Sequence, residues 1–382
     1  MIEEKEKTAG ITSVGADGGQ SNLKTNAIVT DSEAECNSKK KNLRELARAM
    51  QTYSDPYFLP TVTMNDLFDT VYNGKPPIIE NLLYPGLFVF AGAPKIGKSF
   101  LMLQIAYHVS TGLPLWEFPV SKSPVLYLAL EDSYDRLQRR LYKMFGVEGT
   151  DDLHLSIASM QLGKGLDEQI TWFLKKVPDT RLIIIDTLQK IREPDGDNFS
   201  YGNDYEIMSS LKRIADTNGI CILVVHHTRK QKADDAFDMI SGTNGIMGAA
   251  DGAFILQKEK RTSNDAVLEI SCRDLQDQKL YLKRNVGNLQ WEYERNETEL
   301  WKEPPDPLLE KIKGFLTECG GEWSGTATEL EEKLQSKLSP SALSMKLNVL
   351  ASRMKNEYDI RYERQRNHDG RRIELSFFGT SA

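Results

Sequence analysis

Cysteine is scarce in this chain: four among 382 residues, Cys36, Cys221, Cys272 and Cys319, set far apart with no C-x-x-C pair. That spacing speaks against a cysteine metal site. The apolar, strand-like runs around Cys221 and Cys272 make those two small packing residues instead. Long hydrophobic runs are missing too: no stretch of about 18 apolar residues occurs, so no membrane-spanning helix is expected. The acidic start MIEEKEKTAG lacks the apolar centre of a secretory leader, and a reducing, cytoplasmic setting is expected. Nor is there an excess of positive charge, since 48 Lys and Arg stand against 55 Asp and Glu for a net charge of −7. Any contact with nucleic acid must therefore come from a local basic surface or from loops, not from the molecule as a whole.

What is present is a clear change of texture along the chain. Residues 1–40 are polar, rich in Glu, Lys, Ser, Asn and Gly, and too poor in large apolar groups to bury a core, which predicts a disordered leader. Residues 41–60 hold KNLRELARAMQTY, where Leu43, Leu46, Ala47 and Met50 fall at helical spacing. This amphipathic helix either docks on a neighbouring subunit or covers its own domain. Residues 61–300 alternate strand-like and helical runs, with strands expected at 87–91, 124–130, 181–186, 219–225, 252–257, 265–272 and 279–284. The first four are almost continuously apolar, as in a parallel sheet covered on both faces. The later ones are closely spaced, as in an antiparallel extension at one edge. WKEPPDP at 301–307 reads as a linker.

The stretch FVFAGAPKIGKSF carries the most specific signal. Gly92, Ala93, Pro94, Lys95, Ile96, Gly97, Lys98 and Ser99, followed by Phe100, form a G-x-x-x-x-G-K-S loop between an apolar run and a helical one closed by Gly112. In this pattern the glycines let backbone N–H groups converge on a phosphate, helped by the positive end of the following helix. Lys98 would reach the β and γ phosphates and the Ser99 hydroxyl a Mg²⁺ ion, so ATP and Mg²⁺ are the expected ligands. RLIIID places Asp186 at the C-terminal end of a strand, where it can hold the metal's hydration shell or cap the next segment. VLYLALED places Glu131 directly after another, to polarise an attacking water, although Glu131 and Asp132 could instead cap the helix SYDRLQRRL. ILVVHHTRK ends a fourth strand in two histidines that point to opposite faces, and His227 is the one expected to face the γ-phosphate. A third ligand at familiar zinc spacing is not near them.

Taken together, Gly92 to Ser99, Glu131 after a strand, Asp186 ending an apolar strand and a strand ending in His226-His227 resemble the RecA-like ATPases. The particular likeness is to the ring-forming replicative helicases of plasmid RepA type and their relatives on phages and integrative elements. SGTNGIMGAADGAFILQK and ISCRDLQDQKLYLKR look like the family's continuation. The resemblance implies an α/β RecA-like P-loop core with a mostly parallel sheet and an antiparallel edge extension. It further implies a catalytic role for Lys98, Glu131 as catalytic glutamate, Asp186 on the metal, His227 as γ-phosphate sensor and Arg273 as a finger into a neighbouring subunit's nucleotide. Lys258, Lys260, Arg261, Lys283 and Arg284 are alternatives to Arg273, which could equally be a solvated strand residue. A homo-oligomer, a hexameric ring, would be expected, with single-stranded DNA met by the segments after Asp186 and after His227, the latter carrying Arg229, Lys230 and Lys232.

Residues 308–380 read as a small winged helix-turn-helix. Asp306-Pro307 opens a first helix, Thr326 with Glu329 caps a second and Ser339-Pro340 opens a third, before a hairpin that turns at Asp369-Gly370. The third helix would present Ser341, Ser344, Asn348, Ser352 and Lys355 opposite its leucines, and the hairpin carries Arg361, Arg364, Arg366, Arg371 and Arg372. Such a surface could seat on duplex DNA or dock a protein. The expected function is Mg²⁺-dependent ATP hydrolysis driving a DNA motor, a replicative helicase of a mobile element. The alternative is an ATP-switched DNA-binding regulator that unwinds nothing.

Overall fold

The structure is a computed structural model describing residues 57–72, 74–192, 201–229, 235–240, 244–258, 260, 262–273, 275–298, 304–367 and 370–378. The leader at 1–40, the helix expected within 41–60 and the loop residues Lys230 and Lys232 lie outside the described residues, as does most of the segment after Asp186. The chain divides into two compact units, Met1–Thr70 and Val71–Ala382. In the first, α1 (Met64–Asp69) is closed by a capping box in which Thr63 and Asp66 satisfy each other's backbone N–H groups.

The second unit begins with β1 (Gly86–Gly92), α2 (Lys98–Thr111), β2 (Val125–Ala129), α3 (Tyr134–Phe145), β3 (Leu153–Ser156), α4 (Leu166–Lys176) and β4 (Leu182–Asp186). It continues through α5 (Leu188–Ile191), α6 (Tyr201–Asn218), β5 (Cys221–His227), α7 (Asn244–Ala249), β6 (Gly252–Gln257), β7 (Asp265–Cys272), β8 (Gln278–Arg284) and β9 (Trp291–Asn296). These strands form one nine-stranded sheet in the order β3-β2-β4-β5-β1-β6-β7-β8-β9. Period-two alternation divides its side chains between two layers. Phe88, Phe90, Tyr127, Ile184 and Leu223 pack with α2 on one face, whereas Leu87, Val89, Ile183, Ile185 and Val224 pack with α4 and α6 on the other. Both faces are covered, which is why these strands read as unbroken apolar runs.

Two expectations need correction here. Strand 252–257 does not belong to the antiparallel extension: β6 runs parallel to β1, pairing Phe88 with Gly252 through Gly92 with Leu256. The chain between His227 and Gly252 is long enough for a crossover, and α7 lies on it. Antiparallel pairing starts only at β7. Strands β3 and β9 were not expected. Each residue of β3 is only partly buried and β9 keeps just Trp291 fully inside, so neither shows a continuous apolar run.

The C-terminal part follows the order α8 (Pro307–Glu318), β10 (Glu322–Gly325), α9 (Ala327–Leu334), α10 (Pro340–Tyr358), β11 (Ile360–Asn367) and β12 (Gly370–Phe377). Its sheet runs β10-β12-β11, with Asp369 of the hairpin turn outside the described residues. Asp306, Thr326 and Ser339 cap the three helices through their side chains. Leu309, Ile312, Leu330, Leu343, Leu347, Met354, Ile360, Tyr362, Ile373 and Leu375 make a separate core. The polar face expected on α10 is partly taken up by the fold itself. Asn348 is buried and accepts a hydrogen bond from the Tyr362 hydroxyl at 2.7 Å. Ser352 Oγ donates to the Tyr72 carbonyl and accepts from Gly74 N, each at 3.0 Å, so it holds the segment leading into the large sheet.

Candidate nucleotide-binding site

The parallel register sets the ends of β2, β4, β5 and β1 side by side: Ala129 pairs with Asp186, Asp186 with Val225, and Gly92 with His227. Chemistry-bearing residues just after an apolar run therefore converge at one end of the sheet. The loop from Gly92 to Gly97 follows β1 there and feeds α2. A Cβ on Gly92 would lie 2.8 Å from the Leu256 carbonyl oxygen, and one on Gly97, at φ 112°, would lie 2.9 Å from Cζ2 of Trp291. Only glycine fits at either position. Trp291 is fully buried and supports the loop from below, its Nε1 donating to Gly97 O at 3.3 Å, while its main chain exchanges two hydrogen bonds with Gln104.

Lys98 Nζ donates to the carbonyls of Gly92 at 2.8 Å and Ala93 at 3.2 Å, and lies 3.2 Å from Nδ1 of His227. Burial lowers its pKa to about 8 against the opposing pull of Asp186 and Glu131. Burial, then the Lys98 charge, also lowers that of His227, which favours the neutral ring. Since an ammonium can only donate, Nδ1 is the acceptor and the ring proton sits on Nε2, where it can be offered to a phosphate oxygen. His226 is buried one residue back on the other face of the strand.

Asp186 is buried and its Oδ2 accepts from Ser99 Oγ at 2.7 Å and from Tyr127 OH at 2.9 Å. Burial raises its pKa, and the two hydrogen bonds hold it back. Asp186 does not cap α5; the N-cap is Thr187, whose Oγ1 instead donates to Oε1 of Glu131 at 3.3 Å. Ser133 caps α3, leaving Glu131 exposed beside the cleft, and Asp132 pairs with Arg136 and Arg140. A cleft of about 540 Å³ joins Pro94, Lys98, Ser99, Glu131, Asp186 and His227. Two hard oxygen donors in contact beside a glycine cradle with a lysine fit a phosphate chain with its Mg²⁺.

Three members of this site escaped the sequence reading. Tyr127 looks like core because it lies inside the apolar run of β2, yet alternation places it on the same face as Ala129, toward Asp186. Thr187 is hidden behind the more conspicuous Asp186. Arg284 appeared only as one cation among several, but it lines the cleft, with its guanidinium 4.2 Å from the Phe100 ring centre. Arg273 is not brought to this site. It follows β7 at the opposite end of the sheet, where it donates to Gly248 O at 3.1 Å and lies 3.6 Å from Asp251. Among the described residues no group of three or more His, Cys, Asp and Glu is arranged to hold a metal ion, and no helix is long and apolar enough to cross a membrane.

Residues 53–233 match the AAA domain family. The chain is similar to the DNA repair protein RadA of Streptococcus pyogenes serotype M6, 29% identical over 150 residues that cover 38% of this chain and 29% of that protein. It thus spans about three tenths of that relative's length. Among solved structures, an isolated ATPase domain shares 14% identity at a TM-score of 0.47, covering 67% of this chain and 98% of that one. The structure of a DnaB-like replicative helicase and its interactions with primase shares 16% at a TM-score of 0.48, covering 70% and 76%. The phosphate loop, Glu131, Asp186 and His227 all lie inside the span that matches the AAA domain family, and the large sheet built around them is a mostly parallel α/β core, as the RecA-like resemblance implies.

Proposed function

We propose that the chain is a Mg²⁺-dependent ATPase that drives a DNA motor, a replicative helicase of a mobile element working as a homo-oligomeric ring. The observation that carries this reading is the convergence of Lys98, Ser99, Glu131, Asp186 and His227 from neighbouring strand ends onto one cleft. In the proposed reaction the loop amides and Lys98 grip the phosphates, and Ser99 with Asp186 would hold Mg²⁺, which would supply positive charge to the phosphate chain. Glu131, oriented by Thr187, takes the proton of the attacking water, and His227 donates from Nε2 to the γ-phosphate. Arg273, at the far end of the sheet and exposed, would have to act on a neighbouring subunit's nucleotide, since it cannot reach its own.

The C-terminal part is read as a winged helix, from its order of helix, strand, helix, helix and a two-stranded hairpin. With Asn348 and Ser352 engaged internally, duplex contact would fall to Ser341, Ser344, Lys355 and the hairpin arginines. Relatives named for DNA repair support the DNA association. ATP turnover with and without single-stranded DNA, alongside unwinding of a forked duplex, tests the whole reading. Stimulated turnover with unwinding supports the motor. Slow, unstimulated turnover with tight duplex binding favours the nucleotide-switched regulator.

A further inference from the structure

The nucleotide cleft holds three guanidinium groups besides Lys98 and Lys95, and they are not equivalent. Arg136 and Arg140 are both committed to Asp132, and Arg136 also donates to the Glu131 carbonyl. Arg284, at the end of β8, makes no side-chain hydrogen bond or ion pair among the described residues, and its buried Nε has no acceptor. Its guanidinium lies over Phe100, 4.2 Å from the ring centre, with Arg140 at 5.0 Å from the same ring. Two guanidinium groups of one sign crowd one aromatic ring, and Asp132 answers only one of them. Burial and the neighbouring Arg140 both act against the charge of Arg284. Such a group is stabilised by an incoming anion.

Position says which anion. Lys98, Glu131 and His227 mark the γ end of the phosphate chain, and Ser99 with Asp186 the metal. Phe100 follows Ser99 in α2, so the order Lys98, Ser99, Phe100 steps along the helix away from the lysine that marks the γ end. We propose that Arg284 is a nucleotide-binding residue of its own subunit, held on the Phe100 ring so that its N–H groups meet the α-phosphate of the bound nucleotide. This deepens and rests on the ATPase reading above. It makes the antiparallel extension part of the nucleotide site, through the strand whose other neighbour, β9, carries the Trp291 that props the loop.

The test uses the full chain, with Arg284→Ala and Arg284→Lys, and fluorescent ADP and ATP as probes, with unlabelled CTP as a competitor. A contact to the α-phosphate predicts that Arg284→Ala weakens ADP and ATP to the same extent, about ten- to a hundredfold, as expected for loss of a charge-assisted bond. KM rises in parallel while kcat stays within about threefold, CTP suffers the same loss as ATP, and Arg284→Lys recovers part of the affinity. A loss confined to ATP would mean a γ-phosphate contact, one confined to purines a base contact, and an unchanged affinity no contact; each overturns the proposal. A thermal melt of the nucleotide-free variants separates misfolding from lost contact, and Arg284→Lys remains decisive if the alanine variant does not fold. Failure of the unsubstituted protein to bind any nucleotide would sink the ATPase reading itself, a result distinct from failure of Arg284 alone.

Discussion

Lys98 concentrates the electrostatics of the site in one ammonium group. Its pKa of about 8 lies well below the ordinary lysine value, mainly through burial. A bound triphosphate supplies negative charge at that nitrogen and raises the pKa, so above about pH 8 binding takes up a proton. Nucleotide affinity is accordingly expected to be flat below about pH 7 and to weaken by up to tenfold per pH unit above 8, which titration calorimetry in buffers of different ionisation enthalpy would reveal. Lys98→Ala should abolish both binding and this pH dependence. Lys98, Ser99, Glu131, Asp186 and His227 were legible in the sequence because each stands next to an apolar run, and strand ends are where the fold gathers its chemistry. Tyr127, Thr187 and Arg284 were not, because a tyrosine inside a core run, a threonine beside an aspartate and one arginine among many carry no local mark. Only the three-dimensional register joins them to the site.

Among the elements, the four central strands and the helices with capping residues were readable because burial on both faces and side-chain caps leave strong local patterns. Strands β3, β9 and β10 were not. They are short or mostly solvent-facing, and their pairing depends on partners far away in sequence. The direction of β6 was misread for a related reason, since spacing to the next strand says nothing about the crossover behind it. β9 nonetheless matters for function through Trp291. Trp291→Ala should destabilise the protein by about 3–5 kcal/mol and weaken nucleotide binding together, because the same ring fills the core and supports Gly97. Trp291→Phe should retain most of the stability while losing the hydrogen bond to the Gly97 carbonyl, and urea melts of both variants would show the difference. In the C-terminal part, Asn348→Ala should cost about 1–3 kcal/mol by stranding the Tyr362 hydroxyl. If Asn348 instead contacted DNA, urea melts would show no change and only DNA affinity would fall.

For the molecule as a whole, a net charge of −7 makes any DNA contact local, and in the proposed ring the same few basic residues repeated from each subunit would supply what one subunit lacks. Native mass measurement with Mg²⁺ and a non-hydrolysable ATP analogue should give a multiple of 43.2 kDa. A stable monomer would remove the basis for a residue acting across subunits and for the ring. The claim on which everything else depends is narrower, that groups at adjacent strand ends cleave a triphosphate held by the loop. Steady-state turnover and nucleotide affinity of Glu131→Gln test it most directly. The structure predicts near-normal ATP affinity with turnover reduced at least about a hundredfold, as for loss of a general base, whereas a variant that hydrolyses ATP at the unsubstituted rate would contradict it.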